Sequence, residues 1–167
     1  MSVTVLTLTW FLGGLFVIAA AMKLRHVQEL ALAIQAVASR RVAVPLAIAI
    51  IACEAACAAV LLTIDAGWPL LTAIGLLGLF TGYMAIALRS GRRIACRCFG
   101  DDDGPISAAT IWRNLGFIAC ALTAWLLRWT DGSPLTALDY VLCGMSAATA
   151  LAIFMAGWRF RSVGMPT

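Results

Sequence analysis

Charge is scarce in this chain. Only 12% of its 167 residues are Asp, Glu, Lys or Arg, 63% are apolar, and the mean hydropathy is +0.97. That composition excludes an ordinary soluble domain and points to the membrane class. No internal repeat, Gly/Ser-rich or Pro-rich linker, or low-complexity tail marks a second domain. The cations form no dense run with interleaved aromatics, which argues against nucleic acid and leaves lipid headgroups as the ordinary partner of the net charge of +4. There is a single histidine, His26, with no second one nearby to share a metal. No basic residue precedes the first apolar run, so that run is expected to stay as a helix and not to be removed as a signal peptide. The alternating pattern of a membrane β-barrel is missing as well.

What is present is a series of long apolar stretches. Val3 to Met22, Val42 to Ile64, Gly67 to Leu88, Ala108 to Leu127 and Pro134 to Trp158 each approach the ~20 residues that cross a bilayer as a helix. Backbone polar groups cannot stay unpaired in hydrocarbon, so each stretch is predicted to be helical and the whole to form one compact all-α bundle. Between the first two spans, Leu24, Val27, Leu30, Ala31, Ile34 and Val37 recur at helical spacing, while Arg25, His26, Glu29 and Gln35 fall mostly elsewhere on the wheel. That pattern predicts an interfacial helix.

Basic residues set the orientation. Lys23, Arg25, Arg40 and Arg41 lie between spans one and two; Arg89, Arg92, Arg93 and Arg97 lie between three and four; Arg159 and Arg161 follow the fifth. Ten of the twelve basic residues thus share one side, and the other side has Arg128 with Asp65 and Asp131. The expected arrangement is a multi-pass protein of the inner or plasma membrane, N-terminus outside and C-terminus in the cytoplasm.

The chemistry concentrates in Cys96-Arg97-Cys98-Phe99-Gly100, which places two thiols one residue apart in a polar loop before the fourth span. Thiolates are the reactive form, and Arg92, Arg93 and Arg97 favour them while Asp101, Asp102 and Asp103 oppose. A Cys-x-Cys disulfide closes a very small ring, and departure from relaxed geometry makes such a bond easier to reduce, so it suits exchange better than stapling. Two other readings stay open. The same pair can hold a soft ion such as Cu(I), Zn(II) or Hg(II), although a closed zinc site wants four ligands; or the two thiols are unreactive loop residues. The three acids are read as a solvated cap, and Ser107 as the N-cap of the following helix.

Within the spans, Glu54 stands out, since an ionisable group so deep is expensive unless protonated, paired or hydrated, and usually faces the bundle interior. Arg113 has three options: snorkelling to the headgroups, pairing with the acidic cluster, or turning inward toward Glu54 or the thiols. Asp139, shallow in the fifth span, reads as hydrated. Cys53, Cys57, Cys120 and Cys143 read as buried packing residues, or else as a ladder of thiols across the membrane.

Lys23-Leu24 after the first span, Glu54 within the second, Cys96-Arg97-Cys98-Phe99-Gly100 before the fourth and Arg113-Asn114 early in it, in that order, resemble the methylamine utilisation MauE family, within the broader group of DoxX-like redox-associated membrane proteins. The resemblance covers approximately residues 1–130, a four-helix core, with residues 131–167 adding a fifth span and a short cytoplasmic tail to the same unit. It implies a membrane thiol-disulfide component that assists disulfide formation or isomerisation in an exported client, such as a methylamine dehydrogenase subunit, alongside a thioredoxin-like protein. In that reading Cys96 and Cys98 carry the chemistry, with Glu54, Lys23, Arg113, Asn114, Phe99 and Gly100 in support. No metal or cofactor is predicted, and a quinone, though compatible with such a bundle, is not indicated. The competing classes are a soft-metal binding or transport protein and a non-catalytic subunit of a membrane complex.

Overall fold

The computed structural model describes residues 2–35, 39–89, 108–129 and 135–163. Cys96, Cys98, Phe99, Gly100, the acidic cluster Asp101 to Asp103, Ser107 and Val37 lie outside them. The described residues form six helices and no strand: α1 Val3–Arg25, α2 Val27–Gln35, α3 Arg40–Thr63, α4 Trp68–Arg89, α5 Ala108–Leu127 and α6 Ala137–Val163. All but α2 include a segment long and apolar enough to cross a membrane. The protein is an all-α polytopic bundle, and the five predicted spans coincide with five observed helices to within a few residues at each end.

Helices α1, α3, α4 and α5 close a four-membered ring, each packed on the next, and α6 packs chiefly on the outside of α1. Two adjacent glycines explain why α1 can serve two neighbours. A Cβ on Gly13 would meet Leu62 of α3 at 2.8 Å, and one on Gly14 would collide with Leu151 of α6. Small residues let membrane helices approach closely where lipid offers no hydrophobic drive to associate. The α1–α6 contacts rise together along both chains, so the two helices run parallel: the Cys143 thiol donates to the Val3 carbonyl at 3.4 Å, the hydroxyls of Thr7 and Ser146 pair at 3.4 Å, and Gly14 meets Leu151.

The ring core is apolar, built from Leu12, Leu15, Phe16, Leu61, Leu70 and Phe117 among others. Helix ends carry the polar work. Ser2 caps α1 by accepting the Val5 amide at 3.3 Å. Asp139, read from sequence as merely hydrated, accepts the Thr136 amide at 2.8 Å while its own amide donates to the Thr136 hydroxyl at 3.4 Å, a reciprocal cap at the start of α6. At the same end of the bundle Arg128 binds Asp65 through its carboxylate (2.6 Å) and its carbonyl (2.8 Å), tying the end of α5 to the α3–α4 turn.

The amphipathic helix predicted after the first span is α2, and its apolar stripe packs on protein: Ala31 and Ile34 are buried with Ala43 and Ala47 of α3, with Val27, Leu30 and Ile50 around them. Leu24, assigned to the same stripe, belongs to α1 and is exposed. One end of α2 follows Lys23, which touches Glu54, and the other leads into Arg40; α2 therefore accompanies the first half of α3, about 21 Å of helix at 1.5 Å per residue.

Candidate functional site

Glu54 is the most buried charged residue among the described residues, 1% exposed, about 21 Å from the start of α3 and about 14 Å from its end. Its partner is Lys23: the ammonium donates to Glu54 Oε1 in a buried ion pair, and Lys23 is itself 5% exposed. Lys23 reaches this depth because the chain does not leave the bundle at the end of α1 but continues as α2 against α3, so the last turn of α1 lies beside the middle of α3. The Lys23 Nζ also sits 4.5 Å from the centroid of the Phe80 ring of α4, whose π face offers a second, weaker counter-charge.

Asn114 of α5 completes the cluster. It is buried, and its amide nitrogen donates to the Thr81 hydroxyl of α4 at 3.3 Å. Thr81 in turn donates to the Leu77 carbonyl at 2.6 Å. Lys23, Glu54, Phe80 and Asn114 line one small cavity on the ring axis, with Leu15, Phe16, Ala19 and Leu77 as its apolar walls, so each of the four ring helices contributes. An ion pair, an amide and a π face in an otherwise apolar core are chemically suited to holding a small hydrogen-bonding group or a proton.

The structure thus brings together three residues named from the sequence, Lys23, Glu54 and Asn114. Arg113, the neighbour of Asn114, is half-buried near the start of α5; of its three expected uses, pairing with Glu54 is taken by Lys23. Thr81 and Phe80 were not singled out. A threonine and a phenylalanine in a hydrophobic helix carry no signal of their own until Asn114 and Lys23 are placed beside them. Cys96 and Cys98 belong to the segment joining α4 to α5, the two helices that supply Phe80, Thr81 and Asn114. The remaining cysteines are free thiols: Cys53 is exposed, Cys57 and Cys143 are buried, and Cys120 is intermediate. Among the described residues no group of three or more His, Cys, Asp or Glu side chains could hold a metal ion.

Residues 1–127 match the family model described as Methylamine utilisation protein MauE. The matched stretch comprises α1 to α5 and stops before α6. No curated protein and no solved structure matches the chain.

Proposed function

The chain belongs to the methylamine utilisation protein MauE family, and on that premise we propose that it is an integral membrane thiol-disulfide redox component that assists maturation of an exported partner such as a methylamine dehydrogenase subunit. The observation that carries this reading is the Cys96-Arg97-Cys98-Phe99-Gly100 segment, placed between two helices of a ring that keeps a buried Lys23–Glu54 pair at its centre.

In the proposed cycle the thiolate of one cysteine attacks a disulfide of the partner, forming a mixed disulfide and releasing a partner thiolate. The second cysteine then displaces the remaining partner sulfur, which leaves a Cys96–Cys98 disulfide and a partner reduced by two electrons. A dithiol of a thioredoxin-like protein restores the pair by the same exchange in reverse order. Run backward, the cycle oxidises the partner; alternating directions isomerise it. Arg97 and the neighbouring arginines favour the thiolates, Phe99 and Gly100 shape the turn, and Lys23, Glu54, Arg113 and Asn114 anchor the helices that present the loop.

The orientation proposed with this cycle has the N-terminus outside and the C-terminus in the cytoplasm. Burial of Lys23 in the pair with Glu54 removes one of the ten cations counted on the cytoplasmic side, and nine remain; on the other side the charge of Arg128 is matched by Asp65. Stable disulfides form outside the cytoplasm. With a cytoplasmic Cys96–Cys98 pair, the disulfide attacked in the cycle is therefore that of a membrane dithiol carrier, which passes the reducing equivalents outward to the client for isomerisation or reductive maintenance. In the inverted orientation the pair meets the client directly.

The test is a strain carrying Cys96→Ser and Cys98→Ser. The expected result is a client that accumulates with missing or mispaired disulfides while the membrane protein itself is present at normal level. A fully bridged client in that strain contradicts the proposal. Metal analysis of the purified protein separates it from the metal-carrier class, for which a soft ion would leave with the two thiols.

A further inference from the structure

Of the two carboxylate oxygens of Glu54, Oε1 takes the Lys23 ammonium, whereas Oε2 is buried and makes no hydrogen bond among the described residues. A carboxylate oxygen without a donor in an apolar interior is unfavourable, and native structures rarely leave one so. Glu54 lines a cavity of about 20 Å³. On the same measure a single water needs roughly 10–15 Å³ and two to four polar partners.

Those partners are present. The Thr81 hydroxyl spends its only proton on the Leu77 carbonyl, so toward Asn114 it can only accept. That fixes the amide: its nitrogen faces Thr81, and its carbonyl Oδ1 is left for the cavity. The Lys23 ammonium has three N–H groups; Glu54 Oε1 takes one and the Phe80 π face faces another, which leaves one for the cavity. The lining therefore offers two acceptors, Glu54 Oε2 and Asn114 Oδ1, and one donor on Lys23, between apolar walls of Leu15, Phe16, Ala19 and Leu77. The ammonium repels a cation and the carboxylate repels an anion. The volume is too small for an organic ring. A neutral molecule with two donors and one acceptor is what matches.

We propose that this cavity binds one internal water molecule, which donates to Glu54 and Asn114 and accepts from Lys23. It joins the polar groups of α1, α3 and α5 to Thr81 of α4, so that all four helices of the ring meet in a single hydrogen-bonded node. This inference stands apart from the thiol cycle and survives its failure.

Lys23 is the only lysine in the chain, so a lysine-specific ¹⁵N label reports on it alone. In labelled protein reconstituted in lipid bilayers, solid-state NMR magnetisation passed from water should reach the Lys23 Nζ early, although the side chain is buried. Ala19→Val narrows the cavity and keeps every polar group; Asn114→Leu removes one acceptor and fills the space. Either variant should lose the early water-derived signal while the ¹⁵Nζ–¹³Cδ contact between Lys23 and Glu54 persists. Absence of that signal in the unmodified protein, which needs no variant to fold, overturns the inference. So does its undiminished presence in both variants.

Discussion

Lys23 and Glu54 bring opposite charges into a bundle interior, where each compensates the other. Removing one partner of such a pair leaves a buried charge without compensation and costs about 3–5 kcal/mol, whereas replacing both with apolar side chains of similar size is close to neutral. Lys23→Met is therefore expected to destabilise the detergent-solubilised protein by that amount, and Lys23→Met with Glu54→Leu to recover most of the loss in the same unfolding measurement. A loss in the double variant equal to the sum of the losses in Lys23→Met and Glu54→Leu alone would show that the two residues act independently. Phe80→Leu, which removes only the π face over the ammonium, should cost about 0.5–2 kcal/mol. Half of this pair was legible in the sequence. A lone carboxylate deep in an apolar run announces itself, but Lys23 stands directly after such a run, where a cation normally marks a loop, and its burial follows only from the way α2 carries the chain along α3. The Asn114–Thr81 contact was similarly hidden, since the two positions meet only when α4 and α5 pack.

Among the elements, α1 holds the bundle together, with α3 and α5 on its ring side and α6 outside. Gly13 and Gly14 set the two close approaches, and they differ in what a side chain would meet. At Gly13 the obstacle includes the branch carbon of Leu62, whereas at Gly14 it is chiefly the tip of Leu151. Gly14→Ala should therefore cost about 1–3 kcal/mol, as overpacking does, and Leu151→Ala should restore part of it; a loss untouched by the second substitution would mean that the clash is not with α6. At the start of α6, Asp139→Ala breaks the reciprocal cap with Thr136 and is expected to lower the unfolding temperature of the detergent-solubilised protein. Hydropathy made the spans legible to within a few residues, because five apolar runs separated by polar segments admit few alternatives in a bilayer. The cap was not legible: an acid near a membrane surface looks solvated until Thr136 is seen to hold it. Nor was the use of the α2 stripe, since periodicity reveals an apolar face without revealing whether lipid or α3 covers it.

The described residues form a closed four-helix ring with α2 along α3 and α6 on its outside, and the family match ends where the ring does. A chain ending at residue 130 is thus expected to keep the Lys23–Glu54 pair, visible as the same ¹⁵N–¹³C contact, since α6 contributes nothing to it; loss of the contact would place α6 in the core unit. Sidedness is a second property of the whole. A membrane-impermeant thiol reagent applied to intact cells should leave Cys96 and Cys98 unlabelled and label them after the membrane is opened, and labelling from outside would invert the orientation. The central claim, that the two thiols cycle between free and bonded forms, is tested most directly by acid-quenched differential alkylation of native membranes followed by mass spectrometry of Cys96 and Cys98. The account predicts that both the dithiol and the disulfide are populated in growing cells and that their ratio shifts when the client is depleted. A pair that stays wholly reduced with and without client, and under added oxidant, would contradict it.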